Sequence, residues 1–204
     1  MNIKWDSYEV MVYFNRMEEH RNSSEHVILS RFMPVSLAIE ELVSPLHKRF
    51  SYHFSGNRPT NRRDKPEWYL HQVLQWIGDH VKFIESHIQP FYGDNDAFGE
   101  FSRRLVQLTV EKLIKDSAFI LEDEVILAHT IGQVLSFESK LRTQYNYPSS
   151  QPSALLILTQ PAIFTRWIAL EKVCKLLFSS FISFLLSFFV LETCFICNFI
   201  WQLL

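Results

Sequence analysis

The stretch Lys65-Pro66-Glu67-Trp68-Tyr69-Leu70-His71-Gln72-Val73-Leu74-Gln75-Trp76-Ile77-Gly78-Asp79-His80-Val81-Lys82-Phe83-Ile84-Glu85-Ser86-His87-Ile88-Gln89-Pro90 decides the fold class. Proline at the first helical position gives up no hydrogen bond, and Glu67 in the first turn faces the positive end of the helix dipole. Leu70, Val73, Leu74, Ile77, Val81, Ile84 and Ile88 then recur at spacings of three and four, which sets them on one stripe of a helix. Gln72, Asp79, Lys82 and Glu85 fall elsewhere on the cylinder, and Gln89-Pro90 is the expected end.

Outward from this helix the same pattern repeats. Pro34 to about Phe50 carries Leu37, Ile39, Leu42 and Leu46, with Pro45 expected to kink or break it. Ala97 to Ile120 carries Phe101, Leu105, Leu108 and Leu113. Asp123 to about Thr143 carries Ile126, Ile131, Val134, Leu135 and Leu141. Pro161 to Lys175 carries Ile163, Trp167, Leu170 and Val173 and again opens on proline. The connections, such as Phe91-Tyr92-Gly93-Asp94 and Tyr147-Pro148-Ser149-Ser150, are short and turn-like. With 5 glycines in 204 residues the chain lacks the turn material of a sheet protein. The reading is all-α, an antiparallel helical bundle or rod segment with an apolar C-terminal helix.

Composition excludes some partners. The formal net charge of −2 gives no global field to draw the chain to nucleic acid. Cys174, Cys194 and Cys197 cluster at one end, which is no disulfide framework and fits a reducing setting. Asp6, Glu9 and Glu18 interrupt any apolar region that a signal peptide would need, so entry into the secretory lumen is not expected.

At Cys174 the composition changes. From Leu176 to Leu204 the only charged residue is Glu192. A bilayer core takes about 20 apolar residues. The apolar side chains of Leu176–Ile196 favour insertion by roughly 6 kcal/mol, against at most ~3 kcal/mol for an off-centre Glu192. Lys172 and Lys175 suit a cytosolic flank. Three readings stay open here: a membrane anchor, a buried core helix, or a frame or splice boundary whose sequence has no selected structure.

The candidate chemistry is thin. His47-Lys48-Arg49, Arg58, Arg62, Arg63 and Lys65, interleaved with Phe50, Tyr52, Phe54 and Trp68, could form a phosphate surface or a protein contact. No nucleic-acid-binding signature accompanies them, and Asp64 and Glu67 offer local partners, so a solvated polar loop is the preferred reading. His47, His53, His71 and His80 lack zincin spacing. Asp94-Asn95-Asp96 begins like a calcium loop, but Phe98 and Leu105 stand where ligands are needed, so a turn and helix cap is expected. Cys194-Phe195-Ile196-Cys197 is a lone CxxC in an apolar run and carries no assigned role. No GxSxG, Walker loop or dinucleotide turn occurs. No cofactor, metal or catalytic residue is assigned.

One segment is more specific. Pro45-Leu46-His47-Lys48-Arg49-Phe50-Ser51-Tyr52-His53-Phe54-Ser55-Gly56-Asn57-Arg58-Pro59-Thr60-Asn61, followed by Lys65-Pro66-Glu67-Trp68-Tyr69-Leu70, resembles the signature of the RINT/TIP family of tethering subunits, called MAIGO in plants. Gln72-Val73-Leu74-Gln75-Trp76-Ile77 and Ile88-Gln89-Pro90 look like the family's following helix, and Glu100-Phe101-Ser102-Arg103, Glu111-Lys112-Leu113, Val134-Leu135-Ser136-Phe137-Glu138 and Phe164-Thr165-Arg166-Trp167 continue in family order. The resemblance runs from about Arg31 to Val173. It divides the chain into a helical lead-in over 1–30, the family-like region over 31–173, and the hydrophobic tail over 174–204.

The resemblance implies a non-catalytic scaffold: a helical rod segment in a complex that tethers Golgi-derived retrograde vesicles at the endoplasmic reticulum. Its implied partners are other tether subunits and the SNAREs of that membrane, with Leu176–Leu204 as a candidate membrane contact and nucleic acid not expected. The implied location is the cytoplasmic face of the endoplasmic reticulum membrane, peripheral or tail-anchored. Family members are several times longer and continue past Val173 with a charged helix. Two alternatives therefore stand beside the tether reading: a small tail-anchored helical membrane protein, and a truncated product without tethering activity. The signature residues Arg49, Phe50, Tyr52, His53, Phe54, Gly56, Thr60, Asn61, Lys65, Pro66, Glu67 and Trp68 are expected to be structural. Tyr52, Phe54 and Trp68 should pack between helices and Gly56 should permit a turn.

Overall fold

The computed structural model describes residues 26–172, and among them every regular element is helical. After a helical turn at 26–29, α1 spans Leu37–Phe54, α2 Glu67–Phe83, α3 Ala97–Glu122 and α4 Glu124–Tyr145. A four-residue helical turn, α5, follows at Leu155–Leu158. Residues 26–165 lie in one compact unit; residues 166–172, also helical, belong to a second.

Side-chain pairs fix the directions of the helices. Glu40 of α1 meets Arg104 of α3 at 2.9 Å, and further along α1 Phe50 and Ser51 share a small cavity with Leu108 and Lys112, so α1 and α3 run parallel. His80 of α2 lies 5.2 Å from Phe101, near the start of α3, while Tyr69 near the start of α2 feels the charge of Asp116 near its end. These two helices are therefore antiparallel. Glu67 bonds His129, and Gly78 lies against Tyr145, so α2 and α4 run parallel. Successive helices thus alternate in direction. A Cβ at Gly78 would come within 2.7 Å of the Tyr145 hydroxyl, and the missing side chain lets α2 and α4 approach there.

The α3 helix is the centre. It touches α1, α2, α4 and α5. Because neighbours surround it, it buries Phe101, Leu105, Leu108, Leu113 and Ile120 and, beyond any single stripe, Arg103, Lys112 and Asp116. An ordinary surface helix keeps one polar face in water. Its two ends are set by side chains: Asp96 accepts from the Gly99 N–H at 2.8 Å, and Asp123 accepts from Val125 and Ile126 to start α4 directly afterwards. The expected turn and cap at Asp94-Asn95-Asp96 is therefore found.

Two boundaries differ from the sequence reading. Pro45 does not break α1, which continues to Phe54, past the expected end. Pro45 and Glu41 are both exposed, so the carbonyl left without its N–H partner faces water, while Ile39, Val43, Phe50 and Phe54 bury the opposite face. In α2 the α-pattern stops at Phe83, a π-helical turn takes over at Ile84–Ile88, and a 3-10 turn at Gln89–Phe91 carries the chain just past Pro90. The expected stripe is buried at Leu70, Val73, Leu74, Ile77 and Ile84 and half-buried at Val81 and Ile88; Tyr69 and Trp76 are buried as well. Turn α5, with Ile157 and Leu158 buried, has no counterpart in the sequence reading.

Candidate functional site

The signature forms the corner between α1 and α2 and its seat on α3. Phe50 and Phe54 on the inner face of α1 approach each other at 5.1 Å, and each packs edge-on to Tyr69 of α2, at 6.2 and 6.0 Å. Aromatic pairs favour such tilted geometries over face-to-face stacking. Burial, reinforced by the nearby Asp116 and Glu67 carboxylates, pushes the Tyr69 phenol well above its ordinary pKa.

The loop after α1 answers the orphan carbonyls that any helix leaves at its C-terminus. Gly56 turns the chain with φ +65, the expected turn. The Thr60 hydroxyl then donates to the His53 carbonyl at 2.6 Å, and the Asn61 amide donates to the Gly56 carbonyl at 2.6 Å. The Asn61 side-chain oxygen accepts from Lys112 Nζ at 2.6 Å, and that ammonium lies 2.8 Å from Asp116 one turn along α3. Asn61 therefore ties the loop to itself and to a buried ion pair. Sequence reasoning missed Lys112 and Asp116 as members of this site. Two signals were there: Glu111-Lys112-Leu113 continues the family order, and Lys112 and Asp116 stand at i, i+4 interleaved with Leu113 and Ile114.

The second half of the signature is more exposed. Arg62 makes two bonds to Asp64, at 2.8 and 2.6 Å, and the guanidinium holds the Asp64 carboxyl down at about 2. Arg63 lies over the Phe119 ring and Arg58 over Tyr52, each 4.4 Å from the centroid. Pro66 is buried at the start of α2. Glu67 meets His129 at 2.9 Å and Lys65 at 3.8 Å. Burial raises its pKa, but the His129 contact and its own backbone N–H outweigh that and leave it lowered.

Two expectations are corrected here. Tyr52 and Trp68 do not pack in the core: they are 57% and 42% exposed, whereas Phe54 is buried as expected. The reason is phase. Phe50 and Phe54, four apart, point inward, and Tyr52 midway between them points out; Trp68 is displaced in the same way from Tyr69 and Leu70.

Trp68 stands instead at a groove of about 640 Å³ between the signature corner and α4. Phe54, Leu70, Leu74, Trp76 and Phe137 supply apolar lining; Arg49, His53, His71, Gln133 and Lys140 supply polar lining. Among the described residues, no cluster of three or more His, Cys, Asp or Glu is placed to hold a metal ion, and no helix is long and apolar enough to cross a membrane. The stretch Leu176–Leu204 and the CxxC lie outside the described residues.

The profile of the RINT-1/TIP-1 family matches residues 37–177, a span that takes in the corner, the seat on α3 and the groove. The chain belongs to the RINT-1/TIP-1 family. It is 41% identical over 144 residues to a RINT1-like protein of Drosophila melanogaster, covering 68% of this chain and 20% of that one. It is 24% identical over 137 residues to the protein transport protein tip20 of Schizosaccharomyces pombe, covering 66% of this chain and 19% of that one. The chain thus spans about a fifth of the length of these relatives. No solved structure matches it.

Proposed function

We propose that this chain is a non-catalytic helical segment of a vesicle-tethering subunit in protein transport, acting by protein–protein contact. The observation that carries the reading is family membership over the folded core, alongside a relative named for protein transport. The physical arrangement agrees. Phe50, Phe54, Tyr69, Thr60 and Asn61 of the signature fix a helical corner, which is what a rigid spacer requires. Within the family's range we assign it to Golgi-to-endoplasmic-reticulum retrograde transport, on the cytoplasmic face of that membrane, with tether subunits and SNAREs as partners.

The test is co-isolation. The full chain, tagged and expressed in cells, should fractionate with endoplasmic reticulum membranes and bring down transport-tether subunits. Recovery in the soluble fraction, free of any transport protein, would sink the proposal.

A further inference from the structure

We propose that the groove between the signature corner and α4 is a docking site for an acidic amphipathic helix of a partner protein. The inference rests on the tether reading for its biological setting, but not for its chemistry. Three observations carry it. The volume, about 640 Å³, falls within the range of about 300–1,000 Å³ usual for ligand clefts. Its apolar lining comes from three helices and includes the partly exposed Trp68 at the mouth, the type of residue that anchors interfaces. A concave apolar slot accepts side chains spaced i, i+3/i+4 and i+7 along a helix; a flat bilayer surface offers nothing of that shape.

The third observation is charge. Arg49 and Lys140 line the groove, are exposed, and form no ion pair with another described residue. The one carboxylate in the lining, Glu67, is already engaged by His129 and Lys65. His53 and His71 add imidazoles and no negative charge. The groove therefore presents two cations without an ion-pair partner among the described residues, beside apolar lining, complementary to a helix with leucines on one face and glutamates flanking them. The sequence reading took the basic run of 47–65 as one feature. In the structure its members part: Arg62 and Lys65 have acidic partners nearby, Arg58 and Arg63 cover aromatic rings, and Arg49 lines the groove.

The experiment uses the full chain and two fluorescein-labelled synthetic helices with identical leucine positions, one flanked by glutamates and one by lysines. Anisotropy should show the glutamate helix binding at least 10-fold more tightly than the lysine helix, with affinity falling as salt rises. Arg49→Glu with Lys140→Glu should reverse that preference, and Trp68→Ala should abolish binding, with circular dichroism unchanged in both variants. Equal binding of the two helices, or indifference to charge reversal, overturns the proposal. So does charge-dependent binding to phosphatidylserine vesicles without peptide binding, which would assign the groove to lipid. A photo-crosslinker at position 68 that captures residues 1–25 or 173–204 of the same chain in place of the glutamate helix also overturns it. These failures are separable from failure of the tether reading: a chain that selects the acidic helix but co-isolates with no transport protein loses only the latter.

Discussion

Two ion pairs stand a few residues apart in the folded chain and behave as opposites. Lys112 and Asp116, each side chain 6% exposed, meet at 2.8 Å inside the bundle, where Asn61 Oδ1 also accepts from the ammonium. Arg62 and Asp64, 50% and 37% exposed, meet at 2.6 Å in a bidentate grip on the surface. Judged by distance alone, the surface pair is the better bond. Dielectric reverses the ranking in consequence: water screens the exposed pair almost completely, whereas in the interior an abandoned partner has nothing to replace it. The buried pair therefore determines whether the signature loop stays seated on α3, and the exposed pair shapes only the loop's surface.

The sharpest way to break this comparison is Asp116→Ala, which leaves the Lys112 ammonium buried with Asn61 alone. It should cost about 3–5 kcal/mol, read as a large drop in the urea midpoint of the full chain. Replacing both, Lys112→Met with Asp116→Leu, should restore most of that loss, because two apolar side chains remove the desolvation penalty together with the attraction. If the double variant is as unstable as the single, the pair acts by something other than mutual compensation.

Asn61→Ala comes next. It removes the loop's amide bond to the Gly56 carbonyl and the ammonium's second acceptor, and should cost about 1–3 kcal/mol. Gly56→Ala follows. No atom lies within 4 Å of the added Cβ, so the cost is purely that of holding an L residue at φ +65, about 1–2 kcal/mol, less with Gly56→Asn. A larger loss than that would point to a contact at this turn.

Smallest of all is Asp64→Asn. Arg62 depresses the Asp64 carboxyl to about 2, below its ordinary value of 3.8. Any stability from this group is present above the ordinary value and is lost as pH falls through about 2. Solvent screening makes the amount small, so the urea midpoint at pH 7 should not move resolvably. A clear shift would mean that the surface pair is coupled to the buried one.

Much of the fold was legible before the structure. The α2 stripe from Leu70 to Ile84, the N-terminal signals at Pro66 and Asp123, and the cap at Asp96 all rest on local rules that operate within one or two turns of chain. Reading the corner was harder. Phe54 and Gly56 lie where pattern and backbone preference put them, but Tyr52 and Trp68 point away from the core: each lies out of phase with the buried face of its helix, and which face is buried is settled by the neighbouring helices. Lys112 was given no place in the site by the sequence; it is buried because α3 has helices on several sides.

Sequence alone therefore determined that this chain is helical, where its main helices run, and to which family it belongs. Each of these follows from periodicity, capping chemistry or a linear motif. Tertiary structure alone decided which charges are buried, which aromatics are exposed, and that Arg49 and Lys140, 91 positions apart in the chain, line one groove. The reason is that burial and electrostatic strength depend on what surrounds a residue in space, and a neighbour supplied by another helix leaves no trace in the local pattern.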